Sequence, residues 1–398
     1  MELKAESNSL LGVVVVCLSL WSVAAGVNLQ VPYYRAYLAA AEFGEGAAAT
    51  VFGAYILGLL PVLMFCGDSI NRWGARATVR LSLLLSGVAL IIIMLNQNLF
   101  WIYLVRVLEG AAFGLVISAS AVYIGRYLNQ AVASANLHGA LVASGLGGGA
   151  LLTSLGQMLV LSDPPLSYLL ILALVAFCLL GSGSISTIEP GRKGGDSANA
   201  STLHHYLPVY SDGLWRYGLY QLIGWSLVGI MIAVVTGELE RTGMEAWTGI
   251  LVFLSVATGA FVQPICRGWH YQKNFKWGAS VFAAGYFLLL YAVANQSLNM
   301  MLLSAALAGS AGLGFIYVGG VSVMMGVTEA IRPRALSGYF LLGYVGLGTP
   351  CIATGVLTDA IGLMQALVVY GACVVGLVLV AYFMSSRKSL GAQLDARF

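Results

Sequence analysis

The chain has 398 residues, of which 59% are hydrophobic and only 9% charged, with a formal net charge of +3. Soluble globular proteins carry about 25% charged residues, so the composition excludes a soluble enzyme or a basic nucleic-acid binder and points to a polytopic membrane protein. The six cysteines (Cys17, Cys66, Cys178, Cys266, Cys351, Cys373) stand singly in apolar segments. Without CxxC or Cys/His spacing, neither a metal site nor a disulfide framework is expected.

Roughly 20 apolar residues cross the hydrocarbon of a bilayer. Hydropathy divides the chain into twelve such spans, at about 9–31, 46–66, 77–95, 99–124, 134–160, 166–186, 211–236, 246–266, 277–294, 299–325, 335–357 and 362–384. The first is read as an uncleaved helix, because its apolar run is too long for a signal peptide. Asn96-Gln97-Asn98, Asp163-Pro164-Pro165 and Asn295-Gln296-Ser297 make tight turns between antiparallel neighbours. The link from Thr187 to Tyr210 is rich in Gly, Ser and Asn and carries Glu189, Arg192, Lys193, His204 and His205. The expected fold is therefore all-α, with two six-helix bundles, residues 1–186 and 211–398, joined by a cytoplasmic linker at 187–210.

Lysines and arginines set orientation. Fifteen of the nineteen fall on one side: Lys4, Arg72, Arg76, Arg80, Arg126, Arg192, Lys193, Arg267, Lys273, Lys276, Arg332, Arg334, Arg387, Lys388 and Arg397. Only Arg35 and Arg241 fall on the other, and Arg106 and Arg216 lie within spans. Both termini and the linker are thus expected in the cytoplasm, with the protein in the cell (inner) membrane.

The two halves repeat. Leu20-Trp21-Ser22-Val23 is echoed by Gly224-Trp225-Ser226-Leu227, and Arg72-Trp73-Gly74-Ala75 by Lys276-Trp277-Gly278-Ala279, both at an offset of 204. HGALVASGLGGG from His138 aligns with SGYFLLGYVGLG from Ser337 at an offset of 199. A duplicated unit with an even number of spans keeps its topology, so the copies relate about the membrane normal. Small-xxx-small pairs such as Gly110/Gly114 and Gly145/Gly149 allow close helix approach, and Pro350 frees a backbone carbonyl in the eleventh span.

The fourth span, LFWIYLVRVLEGAAFGLVISASAVY from Leu99 to Tyr123, carries Arg106 and Glu109. Residues three apart are neighbours on a helix surface, and a charge at bilayer depth costs on the order of 2.5–3.5 kcal/mol. Their duplicates in the tenth span are Ala305 and Ala308, so the helix can be built without charge. Two readings of the pair follow: an internal salt bridge, or Glu109 as the titrating group of a proton-coupling site with Arg106 as its partner. Asn28, Gln157, Gln221, Gln263 and Tyr317, polar residues at depth in the first, fifth, seventh, eighth and tenth spans, are candidates for lining a substrate cavity. Gln30, Tyr33, Tyr34 and Arg35 gather toward the outer end of the first span, the last three as an interfacial rim. His138 reads as a hydrogen-bonded residue within the fifth span.

Twelve spans, a central loop and a parallel duplication resemble the major facilitator superfamily. The loop after the second span, Gly67-Asp68-Ser69-Ile70-Asn71-Arg72-Trp73-Gly74-Ala75-Arg76, is similar to that family's pattern G-x-x-x-D-R-x-G-x-[RK]. Gly67, Arg72, Gly74 and Arg76 match; Asn71 stands where the family has Asp, and Asp68 is a substitute. The resemblance implies a conformational latch between this loop and the start of the eleventh helix, near Pro333-Arg334. Arg106, Glu109, Gly110 and Gly114 resemble the motif R-x-x-[QE]-G-x-x-x-G, associated in the family with proton transfer. The helix 5 antiporter motif is matched only by Gly145 and Gly149, with Leu141, Leu146 and Ala150 departing from it.

The expected activity is secondary active transport by alternating access: proton-coupled efflux of a drug-like compound or metabolite, with import of an organic solute or metal-chelate as the alternative. Of other classes, an intramembrane enzyme would need a nucleophile–base pair or a metal cluster at membrane depth, and no HExxH or GxSxG is present; a receptor in transporter form is the other alternative, which flux in proteoliposomes separates from a carrier. The expected partners are a small-molecule substrate, protons and membrane lipid, with no cofactor and no nucleic acid, and the chain is expected to act as a monomer.

Overall fold

The computed structural model describes residues 2–39, 44–65, 69–128, 131–159, 164–186, 213–328 and 331–385. Among these, twelve helices are long and apolar enough to cross a membrane. In chain order they are α1 (Leu10–Tyr33), α2 (Glu45–Phe65), α3 (Trp73–Leu95), α4 (Leu99–Leu128), α5 (Ala133–Leu159) and α6 (Leu166–Ser184). The second set is α7 (Trp215–Arg241), α8 (Glu245–Cys266), α9 (Tyr271–Ala294), α10 (Leu298–Gly326), α11 (Arg334–Ile361) and α12 (Leu363–Val380). The linker at 187–210 lies outside the described residues.

Two compact units are present. One comprises Met1–Tyr37 with Ala54–Leu203, the other Leu38–Gly53 with His204–Phe398. The boundary falls inside α2, whose first half belongs to the second unit.

Glycine determines how each unit packs. In the first unit, a side chain on Gly58 of α2 would overlap the Val107 carbonyl of α4, and one on Gly110 of α4 would overlap the Tyr55 carbonyl. In the second, Gly259 of α8 and Gly309 of α10 make the matching approach: a Cβ at Gly259 would lie 2.9 Å from Gly309 O, and one at Gly309 2.6 Å from Ser255 O. Likewise α5 meets α1 at Gly145 and Gly149, against Trp21, Ala24 and Ala25, and α11 meets α7 at Gly343 and Gly346, against Gln221, Leu222 and Trp225. Backbones that close lose little side-chain entropy and gain dispersion contacts, which is what association requires where no hydrophobic effect drives it. The same packing pairs thus recur six helices apart.

Three differences from the sequence expectations have local causes. Helix α7 runs to Arg241 rather than ending near 236, because Glu238 and Arg241 pair one turn apart at 2.6 Å and the cation sits in the last turn, at the negative end of the helix dipole. Two turns widen to π-helix, at Met231–Val235 in α7 and Ser310–Ile316 in α10, which hydropathy does not report. Helix α11 runs unbroken through Pro350, whereas the helical run into α3 is interrupted at Gly74, with φ 79° and ψ 158°. A residue with a Cβ avoids that conformation, which gives the motif glycine a backbone role.

Candidate functional site

The helical run of α1 ends at Leu29, and Pro32 follows, with no N–H to extend it. The last four carbonyls of a helix lack intrahelical partners, and two side chains from other helices meet this end. Arg106 Nη1 donates to Val27 O, Thr153 Oγ1 donates to Leu29 O at 2.7 Å, and Asn28 itself reaches out, its Nδ2 donating to Leu146 O at 2.9 Å. Arg106 therefore satisfies an orphan carbonyl at the C-terminal, negative end of a helix.

The same Nη1 pairs with Glu109 Oε2 at 2.7 Å, one turn along α4. Gln30 Nε2 donates to that oxygen from α1 at 2.8 Å. Arg106 is 0% exposed and Glu109 3%. Aromatic faces enclose the cation: its Cζ lies 5.0 Å from the Tyr55 ring centroid and 6.0 Å from that of Tyr34. A buried charge is tolerable only when paired and hydrogen-bonded, and this pair is both. Asn28 Oδ1 and Gln30 Oε1, buried beside it, have no hydrogen-bond partner among the described residues.

Sequence reasoning joined Arg106 to Glu109 but took Gln30 no further than the polar outer end of the first helix, and it did not single out Tyr55. For Gln30 the signal was its position just beyond a helix end and before Pro32, where carbonyls and side chains converge. Nearby, Tyr37 and Tyr168 share a hydrogen bond at 3.1 Å, and Thr153 meets Ser167 at 2.9 Å. Gln157, half-buried, stands one turn beyond Thr153.

In the second unit Gln221 is 0% exposed on α7. Its carbonyl oxygen accepts from the Tyr339 hydroxyl of α11, which also lies 2.9 Å from Ile316 O, in the π-helical turn of α10. That phenol has one proton for three acceptors, the third being Tyr317 O at 3.4 Å, and the Gln221 Nε2 amide is left without a partner among the described residues. Turning the amide over would free the oxygen instead, so one polar atom of Gln221 stays unsatisfied in either orientation.

One turn along α7, the Trp225 indole N–H is also buried without a partner among the described residues, and its ring sits edge-on to Tyr344 at 5.1 Å. Both side chains lie over Gly343, where a Cβ would come within 3.0 Å of Gln221 Cγ and 3.2 Å of Trp225 Cε3. Tyr317 is half-buried, with its ring 6.0 Å from Phe340. Gln263 does not join this group; its Nε2 donates to Leu313 O at 2.9 Å, a carbonyl of the π-helical turn. The five expected cavity residues thus fall into both units, Asn28 and Gln157 in the first, and Gln221, Gln263 and Tyr317 in the second.

Of the loop motif, Gly67 and Asp68 lie outside the described residues, as do the side chains of Asn71 and Arg72. Arg76 Nε donates to Ile185 O at 2.8 Å, and Arg80 Nε to Ser182 Oγ at 2.7 Å. These two arginines tie the start of α3 to the end of α6. His138 Nε2 lies 3.1 Å from Ile117 O and 3.2 Å from Ser120 Oγ. Among the described residues, no three His, Cys, Asp or Glu side chains converge as a metal site would require.

No curated protein matches the chain in sequence. Among solved structures, a mutant of the nucleoside transporter NupG matches with a TM-score of 0.77 at 12% identity, over 96% of this chain and all of that one. NupG itself matches with a TM-score of 0.74 at 13% identity, over the same shares. A bacterial homologue of the human lysosomal transporter Spinster, in an inward-facing, unoccupied conformation, gives a TM-score of 0.67 at 14% identity, over 96% and 97% of the two chains. At such identities the likeness is one of fold. The sequence model of the Major Facilitator Superfamily matches residues 16–277, about two thirds of the chain, and twelve membrane-length helices agree with it. The chain therefore belongs to the Major Facilitator Superfamily, as a multi-pass membrane transporter and not an enzyme.

Proposed function

We propose that this protein is a proton-coupled secondary carrier that moves a small organic molecule by alternating access, with Glu109 as the proton-carrying group. The observation that supports this most is the triad of Arg106, Glu109 and Gln30, in which one carboxylate oxygen takes two donors while fully buried. Protonating Glu109 removes the charge that holds Arg106, leaving the guanidinium to Val27 O and the two tyrosine rings. A substrate that engages Arg106, Asn28 or Gln30 then competes with the carboxylate, and linkage makes the effect reciprocal: substrate promotes proton uptake, and protonation promotes substrate binding.

The candidate substrate-contacting residues in this reading are Asn28, Gln157, Gln221, Gln263 and Tyr317. Trp225 adds a hydrogen-bond donor. Gln263 contributes through the π-helical turn that it braces. The linker at 187–210 connects the halves, the loop Gly67, Asp68, Asn71, Arg72, Gly74 and Arg76 latches one conformation, and the monomer sits in the inner membrane with both termini in the cytoplasm.

The helix 4 motif favours efflux of a drug-like compound or metabolite. Import is the second reading, favoured by the fold likeness to NupG, described as a nucleoside transporter. Metabolite profiling of cells lacking and overproducing the protein identifies candidates, and flux of each candidate in proteoliposomes with and without a pH gradient decides. Gradient-driven accumulation supports the proposal; flux that equilibrates identically under both conditions refutes proton coupling.

A further inference from the structure

The first N–H groups of a helix have no intrahelical partners and form its positive end. Helix α2 starts at Glu45 behind Gly44, which offers no capping side chain. The cap comes instead from the far end of α11: Glu45 N donates to Asp359 Oδ1 at 2.7 Å, and Gly46 N to Asp359 Oδ2 at 2.8 Å. Both carboxylate oxygens are engaged, each by one backbone donor.

Two glycines make room for this grip. A Cβ at Gly44 would lie 2.6 Å from Asp359 Cγ, and one at Gly46 2.9 Å from Asp359 Oδ2. Below the clasp the two helices touch through small groups. A Cβ at Gly355 would lie 2.7 Å from Ala49 Cβ, one at Gly53 2.7 Å from Ile352 Cδ1, and the Cys351 thiol points at Ala49 O, 4.0 Å away.

The lower half of α2 is held differently. At Gly58 and Gly110 the backbones of α2 and α4 are in direct contact. One continuous helix is thus gripped at two ends by different partners, and the boundary between the compact units falls between Gly53 and Ala54. The α4 grip is backbone against backbone and apolar. The α11 grip adds to its small-group contacts two charge-assisted hydrogen bonds, from the buried Glu45 and Gly46 amides to Asp359, whose exposed position lets water compete for its carboxylate.

We propose that Asp359 is a releasable clasp: its carboxylate fastens the start of α2 to α11, and letting go separates that half of α2 from α11 during the transport cycle. The proposal rests on the alternating-access reading, but its test needs no substrate. Cys351, fully buried at this contact, is kept as the sole cysteine in protein reconstituted in nanodiscs, and its rate of reaction with a polar maleimide is measured. Removing the clasp in Asp359→Ala is expected to raise the rate about tenfold, equivalent to about 1.4 kcal/mol. Asp359→Asn, which keeps one acceptor, gives a smaller rise, and Gly44→Ala, which displaces an intact carboxylate, also gives a rise. Cys266, buried elsewhere in the same unit, serves as a second sole-cysteine reporter and is expected to keep its rate. If Asp359→Asn and Gly44→Ala leave Cys351 at the parental rate, or if Cys266 accelerates in step with Cys351, the clasp is wrong and Asp359 is only a structural cap. Should substrate flux prove absent altogether, the transport reading fails while the thiol rates still decide the clasp.

Discussion

Gln30 and Arg106, from two different helices, both donate to the same oxygen of Glu109, at 2.8 and 2.7 Å. Neutralising a carboxylate that two donors share weakens its attraction for both at once. The pair on α4 is therefore joined to the end of α1 and bears on how two helices of the unit are held, not only on one helix.

Breaking a buried ion pair by removing one partner leaves an uncompensated charge and costs about 3–5 kcal/mol, whereas replacing both with neutral groups costs far less. Arg106→Met alone is expected to destabilise the protein by that amount. Combined with Glu109→Gln, it is expected to recover most of the loss. Thermal unfolding in detergent of the two single variants and the double variant measures the coupling; additive losses would show that the pair does not act as a unit.

Glycines on one helix differ sharply in what they tolerate. Gly110→Ala forces a methyl group into the Tyr55 carbonyl and is expected to lose more than about 2 kcal/mol, in the range of overpacked cores, or to prevent assembly of α2 on α4. A Cβ at Gly125, fifteen residues along the same helix, meets nothing within 4 Å. Gly125→Ala is expected to gain about 0.5–1 kcal/mol, the helix-propensity difference. Melting temperatures of the two variants provide the comparison.

Much of this was legible in the sequence. Twelve spans and the duplication were visible because hydropathy and a repeated Trp-Ser or Trp-Gly survive as strings, and Arg106 and Glu109 stood out because charge is rare at membrane depth. What escaped depends on which helices meet. Gln30 is one polar residue among several until the end of α1 is placed against α4. Tyr339 reads as an aromatic in a glycine-rich run until it reaches Gln221 across two helices. The π-helical turns leave the residue pattern unchanged and alter only the hydrogen-bond register, so no periodicity announces them. Asp359 sits at a helix end, where an acidic residue looks like solvation, and its partners are 313 and 314 residues away.

The indole N–H of Trp225 is buried without an acceptor among the described residues, and an unmet donor of this kind costs about 1–3 kcal/mol. Trp225→Phe removes the donor and keeps most of the packing, so stability is expected to stay within about 1 kcal/mol of the parent. If the donor serves substrate, KM rises while the maximal rate holds. An unchanged KM would assign Trp225 to packing alone.

Tyr339→Phe removes the hydroxyl that links Gln221 to the π-helical turn of α10. The loss leaves Gln221 with both polar ends unmet and is expected to cost about 1–3 kcal/mol. Gln221→Leu in the same background is expected to restore stability, since two apolar groups replace a broken polar contact. A melting experiment on the single and double variants shows whether the network is coupled; equal losses in both would dissolve it.

The central claim is that Glu109 carries the coupled proton, and Glu109→Gln tests it most directly because the amide keeps the shape and an oxygen for Arg106 and Gln30. In proteoliposomes, the variant is expected to lose substrate accumulation driven by a pH gradient while retaining substrate-for-substrate exchange. Gradient-driven accumulation at the parental rate in the Glu109→Gln protein would contradict the account.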